Sequence, residues 1–163
     1  MDTSFERKEC NDCWLTPPHI LKALGEFDLD PCAPIKRPWD MAKNHFTMID
    51  GGLLKEWQGR VWCNPPYGKE TIKWLQRCAE YKNAIALTFA RTETKMFFDA
   101  VWDKATAVLF IKGRLNFYTV EGKRGGTAGA PSVLIAYDQN NAIKLKQSGI
   151  AGKYIALPPL TLN

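Results

Sequence analysis

Apolar residues along this chain occur in short unbroken runs separated by segments with helical spacing. "RVWCN" (60–64), "AIALTFA" (84–90), "AVLFI" (107–111) and "PSVLIAY" (131–137) are continuous runs rich in β-branched and aromatic residues. Runs of this length predict buried strands. "FDLD" (27–30) predicts a short strand, and "RLNFYT" (114–119) extends the 107–111 strand beyond Gly113. Ile20, Leu21 and Leu24 share a helical face, which predicts a helix over 17–24 with Thr16 as N-cap, Pro17 in the first turn and Gly25 as the stop. "KETIKWLQRCAEY" places Ile72, Leu75, Cys78 and Ala79 on one helical face, and "TKMFFDAVWDKA" (94–105) reads as a second amphipathic helix. Residues 34–58 read as irregular, punctuated by Pro34, Pro38, Gly51 and Gly52, and 120–130 as a glycine-rich loop. Residues 131–137 are the last clear strand; the tail from 138 reads either way, with "AIKLKQ" fitting a turn of helix.

Strands alternating with helices predict an α/β fold with a mostly parallel sheet. In such sheets ligands bind beyond the carboxyl ends of the strands. Two strands here end in unusual sequences, "LDPCAP" and "WCNPPYG"; if those strands are neighbours, both endings lie on one rim. The chain has 163 residues, 45% hydrophobic and 24% charged, an ordinary composition for a soluble domain. Residues 1–13 are a polar segment and 14–163 are expected to form a single domain. No apolar run is long enough to span a membrane, and the N-terminus lacks the apolar core of a signal peptide, so the expected location is intracellular. Five cysteines at scattered positions fit reduced thiols. A net charge of +5 favours polyanionic partners.

The chemistry centres on Asn64-Pro65-Pro66-Tyr67. Each proline fixes its own φ and restricts the residue before it, so a strand that ends this way holds its last carbonyls stiffly. The Asn64 side-chain oxygen and the Pro65 carbonyl are two acceptors in one rigid turn. Tyr67 offers a flat face for stacking, and Gly68 lets the chain turn without a side chain over the pocket. The motif resembles the catalytic motif of amino-methyltransferases, and the resemblance implies the chemistry: the two fixed acceptors would take the N–H bonds of an amino group whose lone pair is delocalised into a ring and stabilise the positive charge developing on that nitrogen. Asn is not a base at neutral pH, so the proton leaves to water.

The amino-methyltransferases that it resembles use S-adenosylmethionine. In order, "LTPPHIL", "LDPCAP", "DGGLLKEW", "RVWCNPPYG", "ARTET", "GRLNF" and "APSVLIAY" are similar to the phage-type DNA N6-adenine methyltransferase family, over about residues 14–137. The resemblance implies a compressed Rossmann-like class I methyltransferase sheet with an antiparallel strand near its end, because the segment between Asp30 and Asn64 is short. It implies catalytic roles for Asn64, Pro65, Pro66 and Tyr67. Asp30 is placed at the amino-acid end of the cofactor, with Pro31 and Cys32 shaping the turn, although Cys32-Ala33-Pro34 stands where a glycine is usual. Thr16 and Pro17 are placed against the methionine portion, and Asp50 at the adenine ring. As plain residues, Thr16 also reads as an N-cap and Asp50 as a solvated turn aspartate. The implied substrate is adenine N6 in double-stranded DNA, with the base flipped out, in the cytoplasm of a bacterium or phage-infected host. The same motif also serves RNA or protein-glutamine nitrogens, and a catalytically silent DNA-binding decoy would keep the fold.

Lys36, Arg37, Arg60, Lys69, Arg91, Lys95, Arg114, Lys123 and Arg124 lie in or near expected rim loops, where DNA phosphates would meet them. Arg91 and Arg114 adjoin strand ends and are assigned to DNA contacts, as are Lys123 and Arg124 in the 119–130 loop. Trp14, Trp57, Trp62 and Trp74 are expected in the core. Cys10 and Cys13 form a lone C-x-x-C, read as free thiols; a zinc site would need two further ligands, and no metal is expected. Oligomeric state is not legible.

Overall fold

A computed structural model of the chain describes residues 14–159. Cys10, Cys13 and the polar N-terminal segment lie outside the described residues. The elements, in order, are α1 (Pro18–Leu24), β1 (Leu29–Asp30), β2 (Asn44–His45), a 3-10 turn (Gly52–Leu54), β3 (Val61–Cys63), α2 (Thr71–Tyr81), β4 (Ala84–Phe89), α3 (Lys95–Phe97) running into a π-helical turn (Phe98–Trp102), β5 (Ala107–Ile111), β6 (Asn116–Tyr118), β7 (Arg124–Thr127), β8 (Ser132–Ala136), α4 (Gln139–Gln147) and β9 (Gly152–Ala156).

Seven strands form one sheet in the order β2-β1-β3-β4-β8-β5-β9. Strands β1 to β5 all run one way, while β8 and β9 are reversed. This is a mixed α/β fold, mostly parallel, with two antiparallel strands rather than the single one expected. The alternation of side chains explains why its central strands read as unbroken apolar runs. Trp62, Ile85, Leu87, Leu109 and Leu134 pack on one face with Ile20 and Leu24 of α1 and Leu145 of α4. Val61, Cys63, Ala86, Val108, Val133 and Ile135 pack on the other with Leu75 and Cys78 of α2 and with Phe97 and Val101. Between β1 and β3 the chain forms only the two-residue β2, which pairs with β1, and the 3-10 turn. Among the described residues no helix is long and apolar enough to cross a membrane.

Several expectations are corrected. Residues 116–118 do not extend β5. Gly113, at φ 74, turns the chain away, and β6 pairs with β7 as a separate hairpin. The expected loop 120–130 therefore contains a strand. The last strand is β9, an edge strand paired with β5, and α4 occupies the ambiguous tail. The 94–105 helix is α-helical for one turn only before its π turn. Pro17, not Thr16, occupies the N-cap of α1, with no side-chain cap bond. Trp14 is 43% exposed, lying against the hairpin, where a Cβ at Gly125 would meet its ring at 2.9 Å. Arg60 is not on the ligand rim. It precedes β3 at the opposite end of the sheet, its guanidinium bonded to Asn141 Oδ1 (2.7 Å) and to the carbonyls of Leu24 (2.8 Å) and Glu26 (3.0 Å), over the ring of Phe27.

Candidate active site

Strands β1 and β3 are parallel neighbours, with Leu29 opposite Val61, so "LDPCAP" and "CNPPYG" leave the sheet side by side. Their ends border a cavity of about 810 Å³, lined in part by Asp30, Pro31, Cys32, Trp62 and Asn64 through Tyr67. Its size is in the range of small-molecule sites.

Asn64 is held in one orientation. Its Nδ2 donates to the Trp14 carbonyl and to Thr16 Oγ1, each at 3.3 Å. A backbone carbonyl can only accept, so the amide nitrogen must face Trp14 and the amide oxygen must face the other way. That oxygen is buried and has no hydrogen-bond partner among the described residues. Pro65, next in the chain, is buried, and its carbonyl makes no hydrogen bond among the described residues. The turn is pinned from behind. Thr71 Oγ1 donates to the Pro66 carbonyl (2.6 Å) and accepts from the Gly68 N–H (3.0 Å). The Tyr67 ring, 39% exposed, stacks on Phe89 with centroids 4.1 Å apart and planes 3° from parallel. Arg91 lies over Phe89 in turn, 5.8 Å from its centroid.

Asp30 is 3% exposed, and its Oδ1 accepts from the Cys32 N–H at 3.2 Å. Burial raises its pKa from 3.8 to about 7, against the lowering effects of that bond and of the Arg37 charge. The Arg37 guanidinium itself is bonded to Asp40 and to the Pro34 carbonyl. Among the described residues Asp30 is therefore a buried carboxyl without an ion-pair partner. Cys32 Sγ lies 3.8 Å from Cys63 Sγ and 3.4 Å from the Asn64 carbonyl, filling the space between the two strand ends where a glycine would leave a gap. Burial raises the Cys63 thiol well above its ordinary pKa, which leaves it a packing group. No group of three or more His, Cys, Asp or Glu side chains among the described residues could hold a metal ion.

The "DGGLLKEW" segment forms the outer lip. Gly51 takes a left-handed conformation at φ 68, and a Cβ on Gly52 would collide with the Pro31 carbonyl. Trp57 Nε1 donates to the Gly52 carbonyl at 2.8 Å, and Leu53 and Leu54 line the cavity. Asp50 does not line it. Its exposed carboxylate accepts from Thr47 N (2.8 Å) and Oγ1 (3.1 Å), and the bond from Thr47 N chiefly lowers its pKa.

Thr16 and Asn64, expected in separate roles, are thus brought into direct contact, and Thr16 is 1% exposed. Pro17 does not line the cavity. Arg114, Lys123 and Arg124 lie around the β6–β7 hairpin, all exposed. Sequence reasoning missed Trp62 as a lining residue. It is fully buried, lines the cavity, and its Nε1 has no partner among the described residues. Its position two residues before Asn64 was the available signal, because i and i+2 share a strand face. Phe89 was missed as well, and only the fold reveals that the end of β4 lies under Tyr67.

The mixed α/β sheet carries, at the carboxyl ends of its parallel strands, a cavity bordered by a buried carboxyl and a fixed amide, and in open α/β sheets that end is where ligands bind. The model of the DNA N-6-adenine-methyltransferase (Dam) family matches residues 3–147, and the chain belongs to that family. Neither the curated proteins nor the solved structures yielded a match.

Proposed function

We propose that the protein transfers a methyl group from S-adenosylmethionine to N6 of an adenine in double-stranded DNA. The observation that carries this reading is the Asn64 amide, whose nitrogen is bonded to Trp14 and Thr16 and whose oxygen is buried beside the Pro65 carbonyl, both oxygens without a partner among the described residues. In this reading the sheet is a shortened Rossmann-like class I methyltransferase sheet, with β8 as the reversed strand between β4 and β5.

The residues present fit the cofactor. Asp30 lacks the positive charge that an α-ammonium group would bring. Leu53, Leu54 and Met48 provide an apolar lip for a purine ring, and Trp62 Nε1 is a donor without a partner among the described residues. When bound, S-adenosylmethionine supplies a methyl group on a sulfonium. The chain itself binds and orients. Asn64 Oδ1 accepts one N6–H of a flipped adenine and the Pro65 carbonyl accepts the other. Both acceptors are set in advance, so little reorganisation opposes the charge that grows on nitrogen. Tyr67, backed by Phe89, stacks on the base. No side chain is needed as a base, and the N6 proton leaves to water. Arg91, Arg114, Lys123 and Arg124 face phosphates.

Nucleoside mass spectrometry of DNA from cells expressing the chain tests the reading. N6-methyladenine is expected with the wild type. With Asn64→Ala it should fall by about 10²–10³ in rate, with cofactor affinity nearly unchanged. Methylation confined to RNA or protein glutamine, or cofactor binding without any methylation, would replace this reading with the other-substrate or decoy alternative.

A further inference from the structure

A second cavity, of about 640 Å³, lies between α1, the β6–β7 hairpin and the turn before β9, and shares no lining residue with the first. Lys112, Arg114, Arg124 and His19 line it, and no Asp or Glu among the described residues does. The two guanidinium groups are anchored on neutral partners. Arg114 Nη1 donates to the carbonyls of Ala128 (3.5 Å) and Gly129 (3.2 Å). Asn116, with its amide oxygen turned toward Arg124, accepts from Nη2 at 3.0 Å and Nε at 3.1 Å. None of the three cations forms a salt bridge among the described residues. Three like charges around one hollow repel one another, and a cavity focuses their field on whatever anion enters.

Its place in the fold says which anion. Lys112 follows the carboxyl end of β5, and β5 runs parallel to β3 and β4, so this cavity and the Asn64 cavity open on the same rim. The segment from Trp14 to Ile20 separates them: Trp14 to Thr16 line the first, and Pro17, His19 and Ile20 the second. We propose that the second cavity seats a phosphodiester of the DNA whose adenine enters the first, and that Lys112 and Arg124 neutralise it. The proposal rests on the DNA-methylating reading above and adds a defined phosphate seat to it.

The test is a scan of duplexes that each carry a single neutral methylphosphonate near the target adenine. Their binding to the full chain is measured by fluorescence anisotropy for the wild type, Lys112→Gln, Arg124→Gln and the charge-preserving Arg124→Lys. One or two positions should weaken wild-type binding severalfold and become silent in both Gln variants, while Arg124→Lys keeps the sensitivity. The slope of log affinity against log salt should fall by about 1 for each cation removed. Calorimetric S-adenosylmethionine affinity, unchanged across the variants, shows that they are folded. Identical methylphosphonate penalties in wild type and Gln variants, or an unchanged salt slope, would overturn the phosphate seat. Methylation of duplex adenine by the wild type is read separately. If it is present while the scan is flat, the seat alone fails; if the wild type neither binds nor methylates duplex DNA, the functional reading fails with it.

Discussion

Replacing Asp30 with Asn should make the protein more stable and, on the proposed function, less able to bind S-adenosylmethionine, and the stability gain should grow with pH. Asp30 is buried, and its pKa is raised from 3.8 to about 7, chiefly by burial. A carboxyl whose folded pKa lies above its unfolded one favours the protonated form in the fold. The stability it contributes is complete below about pH 3.8 and is lost as the pH rises through about 7. At about 1.4 kcal/mol per pKa unit, the ionised group costs at most about 4 kcal/mol. Asn keeps the shape and can still accept from the Cys32 N–H, but it has no charge to bury. The gap between Asp30→Asn and wild type should therefore widen by about 2–3 kcal/mol between pH 5 and pH 8 and then level off. In a chain of this size that is about 5–10 °C in Tm. Thermal melts of both proteins across this range, without ligand, measure it. The same carboxylate should favour a cationic ligand, so wild-type S-adenosylmethionine affinity should drop about tenfold from pH 8 to pH 6 on this account. The Asn variant should bind weakly at every pH. A stability gap that does not change with pH, or an Asn variant that binds the cofactor like wild type, would refute the reasoning.

Thr16→Val removes the acceptor that orients Asn64 Nδ2; kcat should fall about tenfold, the worth of roughly one hydrogen bond, and Thr16→Ser should restore it. Tyr67→Phe keeps the ring stacked on Phe89 and should retain turnover, whereas Tyr67→Ala should lose about 1–3 kcal/mol of base stacking, read as reduced kcat/KM on duplex DNA. Arg60→Met strands the Leu24 and Glu26 carbonyls and Asn141 Oδ1, and should lower stability by about 2–4 kcal/mol in urea titrations while leaving the salt dependence of DNA binding unchanged.

The strands buried on both faces were legible because their pattern is hydrophobic throughout: every residue of β3 and β8 is buried. β7 was not legible, since "RGGT" carries no apolar pattern and owes its form to backbone pairing with β6. β9 was missed for a related reason: it is an edge strand exposed along most of its length, so "GKYIA" shows no alternation. At the site, the order of motifs located the rim and singled out Asp30 and Asn64. The hydroxyl of Thr16 finds its partner at the far end of β3, and no local pattern records such a pairing. Arg60 was misplaced for the same reason, because charge in a sequence says nothing of burial and its partner Asn141 comes from another element.

The backbone of Leu15 is paired in both directions with Tyr118 of the hairpin, at 2.8 and 3.0 Å, while its two neighbours in the chain hold the Asn64 amide. The ring of Trp14 occupies the space that a Cβ at position 125 would enter. The hairpin is therefore not an exchangeable module. A chimaera that imports the hairpin of another family member, to alter which DNA it meets, would also have to import residues 14–16 and a residue without a side chain at position 125. Otherwise the graft would tilt the Asn64 amide. Changes in the hairpin and changes in the orientation of the Asn64 amide are bound to be inherited together.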